Sequence, residues 1–311
     1  MKRNAILFEE RINLLMLVLS LFLVMGISSH TYSAENWPPP LGKEKIIYLS
    51  GPYDIGQSVS NLGKVLLEQM GYKVDYKVLD TGLAYQALAG GTGDVWSAGY
   101  LPGQQPYLNK FGDKLDILAP SYGPVIDGIA VPGYVPLTKI EDLKNPDIKK
   151  RLGGKIIGID AGSGTMLRAD KAMKAYNLDY ELIPASTPAM EAAFRSAYAK
   201  GEWVVVIGWC PTPMCSKYNV KFLQDSKGVF PDCRDFHILR RGFRTDFPLA
   251  TVLLSRLSIY VNQLSEMVVW IGDEGLKPEQ AARRFIERNP ELVWWWAGDL
   301  IPGLKKPDSL K

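Results

Sequence analysis

The sequence predicts an α/β protein of two lobes, each an open sheet flanked by helices, with a cleft between them. Three observations lead there. Apolar, strand-like runs alternate with helix-spaced segments from residue 45 onward, and the same scheme starts afresh in the middle of the chain. The run Val204 to Leu223, VVVIGWCPTPMCSKYNVKFL, then carries a buried β-type stretch onto a glycine, a lone tryptophan and two prolines. Open α/β sheets bind small ligands where strands end in a cleft, and a rigid indole face suits a quaternary ammonium cation. Ordinary half-buried packing is the rival role for Trp209.

The elements follow in order. Glu35 to Lys45, with prolines at Pro38 to Pro40, reads as an extended leader. Lys45–Ser50 is strand-like, and Gln57–Met70 places Val59, Leu62, Val65, Leu66 and Met70 at helical spacing before the stop at Gly71. Tyr72–Leu79 is a strand and Leu83–Leu88 a short helix ending at Gly90 and Gly91. Asp94–Ala98 is a strand entering the turn GYLPGQQPY. The middle of the chain repeats the pattern: strand Gly128–Val131, a polar helix near Ile140–Leu143, strand Lys155–Ile159, and the glycine turn DAGSGT. Helix Met166–Tyr176, strand Tyr180–Ile183, helix Pro188–Lys200 and strand Trp203–Ile207 come next. After Gly242, the apolar run Leu249–Leu254 and the amphipathic stretches Leu257–Ile271 and Pro278–Arg288 close the chain. Trp294 to Trp296 read as packing in that helical tail, with membrane contact as the rival.

Lys2, Arg3 and Arg11 precede the apolar run Ile12 to Ile27, which small and polar residues follow up to Ala34. That pattern reads as an export signal over residues 1–34, cleaved near Ser33 or Ala34. Roughly 17 apolar residues can span a bilayer, so an uncleaved anchor is the alternative, and the protein is expected in the periplasm or at the cell surface. The formal charge is +3, and without residues 1–34 there are 33 basic and 31 acidic side chains. No dense basic cluster offers a footprint for nucleic acid. Export permits disulfides among Cys210, Cys215 and Cys233. A Cys215–Cys233 bridge would close the intervening loop, and Cys210–Cys215 competes with it. The thiol spacing and a single remaining histidine, His237, argue against a metal site. They also argue against a hydrolase, whose nucleophile needs a positioned base, so neither cofactor nor enzyme activity is expected. An exported thiol enzyme using Cys210 or Cys215 with His237 is the remaining catalytic alternative.

The segments LEQMGYKV (67–74), YLPGQQPY (100–107), GIAVPGYV (128–135), IGIDAGSGTM (157–166), TPAM (187–190) and VVIGWCPTPM (205–214) occur in this order across nearly the whole exported part. Together they resemble the substrate-binding proteins of ABC importers for glycine betaine, proline betaine and choline. The resemblance implies a two-lobed, hinged periplasmic-binding fold of type II that closes on its ligand. Residues 35–128 and 243–311 would then form lobe one and residues 129–242 lobe two. It further implies a monomer whose partners are a small quaternary-ammonium ligand and an ABC permease.

In that family the ammonium sits in an aromatic box and the carboxylate meets backbone N–H groups. Carried onto this chain, Trp209, Tyr100 and Tyr53 match box positions, and Gly164 and Thr165 match the amides facing the carboxylate. Tyr122, before GPVIDGIAVP, is a further box candidate. The departures concern Ser163, where some members carry a third tryptophan, and Gln104 (or Gln105) and Thr212, where many carry histidines. The carboxylate contact would then move to Arg168, one turn into the helix after DAGSGT, whose guanidinium suits a bidentate bond. Asp127, beside a hinge-like glycine, is read as bonding backbone. An amino acid or sulfonate held by Arg168, Thr165 and Thr212 is the alternative ligand class, beside choline and carnitine.

Overall fold

The structure, a computed structural model, describes residues 37–311. The export signal expected over residues 1–34, with its cleavage point, lies outside the described residues. Residues 40–311 form one compact unit, whereas Trp37 to Pro39 belong to an N-terminal unit of their own and hold neither helix nor strand. No helix among the described residues is long and apolar enough to cross a membrane.

The first half runs β1 (Lys45–Ser50), α1 (Asp54–Gln69), β2 (Lys73–Val78), α2 (Thr81–Ala89), β3 (Val95–Leu101), α3 (Gln105–Phe111) and β4 (Leu115–Pro132). The middle runs α4 (Pro146–Arg151), β5 (Lys155–Ile157), α5 (Gly164–Ala175), β6 (Glu181–Ile183), α6 (Thr187–Lys200), β7 (Val206–Cys210), α7 (Pro213–Lys217), β8 (Val220–Phe222) and β9 (Cys233–Arg240). The chain closes with α8 (Phe243–Asp246), α9 (Pro248–Arg256), β10 (Ile259–Tyr260), α10 (Val261–Gly272), α11 (Pro278–Arg288) and α12 (Pro290–Ala297). Proline stands in the first turn of α4, α6, α7, α9, α11 and α12, where its missing N–H costs nothing and its fixed φ already suits the helix. Gly71 follows α1 at φ +102, a left-handed conformation that a side chain would resist.

Strand β4 organises the sheet. Its first part, with β9, β3, β1 and β2, builds one sheet, in which β1 runs parallel to β2 and β3, and β9 is antiparallel to both β3 and β4. From Ile126 onward β4 changes partners, pairing antiparallel with β7 and β8, and β7 continues in parallel to β5 and β6. One strand of 18 residues thus belongs to two sheets. Only its end, Gly128–Val131, is legible as a strand in the sequence, because the earlier part carries Pro120, Gly123 and Pro124, residues that ordinarily punctuate strands. Strand β9, also unrecognised there, returns from the middle of the chain to the first sheet.

The core is continuous over both sheets. The α1 stripe Val59, Leu62 and Leu66 is fully buried, and α10 and α11 lie against that helix. Trp296 is buried and stacks on Phe285 at 6.4 Å, so it packs as expected, while Trp295 is exposed. His237 of β9 is wholly buried. Its Nε2 donates to the Leu257 carbonyl at 2.7 Å, which leaves Nδ1 to accept from the Ser97 hydroxyl at 2.7 Å. This neutral tautomer has no room for a second proton, and burial pushes its pKa down to about 4.

The unfolded imidazole titrates near 6.5. Between that pH and about 4 the unfolded chain binds a proton that the folded chain refuses, so stability present above pH 6.5 is lost on acidification. From pH 7 to pH 5 this group should cost about 2 kcal/mol. Urea unfolding of the wild type and His237→Gln at both pH values isolates it. The wild type should lose about 2 kcal/mol more than the variant, and equal losses would mean that His237 accepts its proton inside the fold.

Candidate functional site

Three adjacent strands set the floor of a cavity. In the registers β3–β9 and β9–β4, Asp235 lies opposite Tyr100 on one side and Tyr122 on the other. Residues directly opposite in neighbouring strands project to the same face, and all three side chains line the cavity. Trp209, the penultimate residue of β7, lines it from the other sheet, and Tyr53, at the N-cap of α1, faces Trp209 edge-on at 5.9 Å and 84°. The cavity holds ≈ 450 Å³ of empty space, mouth included.

The opposite wall is the N-terminus of α5. Ser163 caps that helix, its Oγ accepting from Met166 N at 3.2 Å, and Ser163, Gly164 and Thr165 all line the cavity. A Cβ on Gly164 would sit 3.0 Å from Tyr100 Cδ1 and 3.1 Å from both Gln104 Cγ and the Gly103 carbonyl carbon. Glycine is what allows the helix end to meet the Leu-Pro-Gly turn at that distance. Gln104 reaches the cavity, but its amide is committed: Nε2 donates to the Ala98 carbonyl at 3.1 Å and Oε1 accepts from Tyr85 at 2.9 Å.

Hydroxyl bonds join elements from the two ends of the cavity. Tyr53 donates to Asp160 Oδ2 at 2.9 Å, Tyr107 donates to the Gly162 carbonyl at 2.8 Å, and Arg168 Nη2 donates to the Tyr100 hydroxyl at 2.9 Å.

Of the residues singled out in the sequence, Tyr53, Tyr100, Tyr122, Trp209, Gln104, Ser163, Gly164 and Thr165 come together around this one cavity. Two do not. Arg168 is 4% exposed at its side chain and is held in an ion pair with Asp127, in hydrogen bonds to Tyr100 and the Pro231 carbonyl, and over the Tyr100 ring at 4.9 Å. Asp127 therefore binds a side chain rather than the backbone bond expected of it. Thr212 is the N-cap of α7, its Oγ1 accepting from Cys215 N at 3.3 Å, and it lies outside the lining. Thr was read there as a replacement for a ligand-binding histidine, but its preference for helix caps prevails.

The Cys215–Cys233 pairing is corrected as well. Cys210 is bonded to Cys215, with Cα atoms 6.0 Å apart across the turn between β7 and α7. Cys233 begins β9 opposite Val125 and is a buried free thiol. Among the described residues no His, Cys, Asp or Glu cluster could hold a metal ion.

The sequence reading missed Asp235. The signal that could have found it is the period-two alternation Cys233, Asp235, His237, which places the three on one face of β9. Asp235 is 2% exposed and accepts a hydrogen bond from Tyr122, and burial raises its pKa well above the ordinary carboxylate range. Among the described residues no basic side chain lines the cavity. Thr81, Ile55, Ala98, Val125 and Ile159 complete the lining.

Residues 49–288 match the model of the substrate-binding domain of ABC-type glycine betaine transport systems. The chain is 36% identical, over 171 residues, to a glycine betaine/carnitine transport binding protein of Listeria monocytogenes. That match covers 52% of this chain and 55% of the relative, so the chain spans about half the length of the relative it matches. Among solved structures, the glycine betaine/L-proline-binding protein of Borrelia burgdorferi superposes with a TM-score of 0.78 at 29% identity, covering 81% of this chain and 96% of that one. Lactococcal OpuAC, closed and complexed with glycine betaine, superposes with a TM-score of 0.76 at 26% identity, covering 82% of this chain and all of that one.

Removing one partner of a buried ion pair strands the other charge. Arg168→Met should therefore lower the unfolding free energy by about 3–5 kcal/mol in urea titrations, and a loss under about 1 kcal/mol would remove the Asp127 pair as an anchor. A thiol titration reads the cysteine assignment directly. The native chain should react at no cysteine and the unreduced, denatured chain at Cys233 alone.

Proposed function

The chain belongs to the family of substrate-binding domains of ABC-type glycine betaine transport systems, and from that premise we propose that it is an exported, non-enzymatic receptor that binds a quaternary-ammonium compatible solute, a betaine or a close relative, and delivers it to an ABC permease. The observation that carries this reading is the convergence of Tyr53, Tyr100, Tyr122 and Trp209 on one cavity. Aromatic faces attract a desolvated cation by roughly 0.5–2 kcal/mol each, and methyl groups on nitrogen add apolar surface for the same rings to cover. The amides of Gly164 and Thr165, at the N-terminus of α5, suit the carboxylate of a zwitterion.

Closure is the proposed mechanism. Residues 35–128 with 243–311 act as one lobe and residues 129–242 as the other. A ligand touching Tyr53 and Tyr100 from the first and Trp209 from the second gains contacts in the closed state that the open state lacks, which shifts the population toward closure. Tyr53 to Asp160 and Tyr107 to Gly162 supply hydrogen bonds that form in the same movement.

The rival readings lose most of their residues. A sulfonate or amino-acid site would rest on Arg168, Thr165 and Thr212; Thr165 lines the cavity, but Arg168 and Thr212 are committed to Asp127 and to the α7 cap. A thiol enzyme would need a free Cys210 or Cys215, and these are bonded to each other.

Calorimetry with glycine betaine, proline betaine, choline, carnitine and taurine tests the proposal. Saturable binding of a trimethylammonium compound is expected, and Trp209→Ala should weaken it more than tenfold, about 1.4 kcal/mol or more. Binding of none of the methylated ammonium compounds would end the ligand assignment, and a smaller loss in the variant would return Trp209 to packing.

A further inference from the structure

We propose that the seam where α6 and α7 meet the ends of α1 and α10 is a proton-operated latch, in which Glu191 takes up a proton as the two halves close, so that ligand binding tightens on acidification; this rests on the closure reading above. The seam lies outside the cavity lining. From residues 129–242 it draws Glu191 and Arg195 on α6 and Pro213 and Lys217 on α7. From the other half come Asp54, the first residue of α1, and Gly272 and Asp273 at the end of α10. A Cβ on Gly272 would sit 2.5 Å from Pro213 Cγ and 3.4 Å from Asp54 Oδ2, so three helices meet at one glycine. Lys217 Nζ reaches Asp273 Oδ1 at 2.5 Å across the same line.

The seam is geared to the cavity on both sides. Asp54 follows Tyr53, whose ring faces Trp209. The Cys210–Cys215 bond ties α7 to the end of β7, the strand that presents Trp209. A movement that brings the two rings together on a ligand therefore brings α7 onto Gly272 as well.

The charges that meet there do not balance. The groups facing Glu191 are Asp54 from α1, Asp273 from the end of α10, Lys217 from α7 and Arg195 from its own helix. Lys217 and Asp273 answer one another. Arg195 is exposed, so water and salt screen its attraction. Among the described residues no ion pair reaches Glu191 or Asp54. Closure thus takes the Glu191 carboxyl out of water beside a second acid, and both effects disfavour its charge. Burial first, and Asp54 next, push it up to about 7 from an ordinary 4.5.

With the halves apart, the other half withdraws its cover and its acids, and the ordinary value returns. Below about pH 4.5 both states hold the proton, and above about pH 7 neither does. Between those limits only the closed state holds it. Closure therefore gains as pH falls through this window, and the gain is lost as pH rises through 7.

Titration calorimetry of the full chain with glycine betaine and with choline, neither of which titrates between pH 6 and pH 8, tests the latch. Wild type and Glu191→Gln are compared at both pH values, each in two buffers of unlike ionisation enthalpy. Asp235 and His237 are present in both proteins, so the difference between them isolates Glu191. Relative to the variant, the wild type should gain about tenfold in affinity from pH 8 to pH 6 and take up close to one more proton per ligand at pH 6. The variant, which carries the neutral side chain at every pH, should bind roughly tenfold or more tightly than the wild type at pH 8. Because a gain in affinity is expected, a folding defect cannot imitate it. Equal pH profiles in the two proteins, or a variant that binds no more tightly at pH 8, overturn the latch and leave the receptor reading standing. Binding of neither compound at either pH overturns both.

Discussion

The buried pair of Arg168 and Asp127 is the interaction on which the arrangement around the cavity depends. A guanidinium removed from water is costly unless its charge and its N–H groups are answered. Here one side chain from α5 is answered by a carboxylate on β4, a hydroxyl on β3 and a carbonyl just before β9. Two strands, the segment leading into β9 and a helix are thereby referred to one point. The same pair fixes the electrostatics: because Arg168 neutralises Asp127, it is not spare for a ligand carboxylate, and Asp235 becomes the acid left facing the cavity.

The sheet explains why that point falls where it does. Strand β4 exchanges β9 for β7 between Val125 and Ile126. Tyr122 and Asp127, five residues apart on one strand, therefore belong to different sheets, and each stands beside a cavity aromatic in the register: Tyr122 across from Asp235 and its neighbour Tyr100, Asp127 across from Trp209. Side chains from both sheets converge there without any loop having to carry them. A site built on strands is held more tightly than one built on loops, and Gly164 lets the α5 terminus close it from the other side.

Much of this was legible in residue order. Helical spacing identified α1 with an offset of a few residues at its start; Tyr53, Tyr100 and Trp209 came from the family resemblance that the short motifs carry, and Tyr122 from its place before GPVIDGIAVP. What stayed hidden has a common cause. Strand identity was judged by apolar runs, so β4 was seen only at its apolar end and β9 not at all, because Asp235 and His237 occupy inward positions that usually hold hydrophobes. Arg168 was misplaced for the converse reason: its role depends on Asp127, 41 residues away, a distance over which spacing carries no information. Thr212 and the cysteines turned on local geometry, since a helix cap and a five-residue separation satisfy both without any long-range partner.

The hydroxyl bonds across the cavity bear on how closure is driven. In the proposed closure Tyr53 to Asp160, Tyr107 to Gly162 and Arg168 to Tyr100 would each replace bonds that the same groups make with water in an open state, so each contributes on the order of 0.5–1.5 kcal/mol at most. Ordering the chain around them consumes a comparable amount. Their sum biases the geometry of closure, fixing which faces meet, more than it determines whether closure occurs. The groups that point inward are aromatic faces and, beside them, the Asp235 carboxyl, whose pKa burial raises well above the ordinary range. In the proposed closure a ligand that covers the rings would add its contribution only when both sheets enclose it, and the bridging hydroxyls would then hold the enclosure in register.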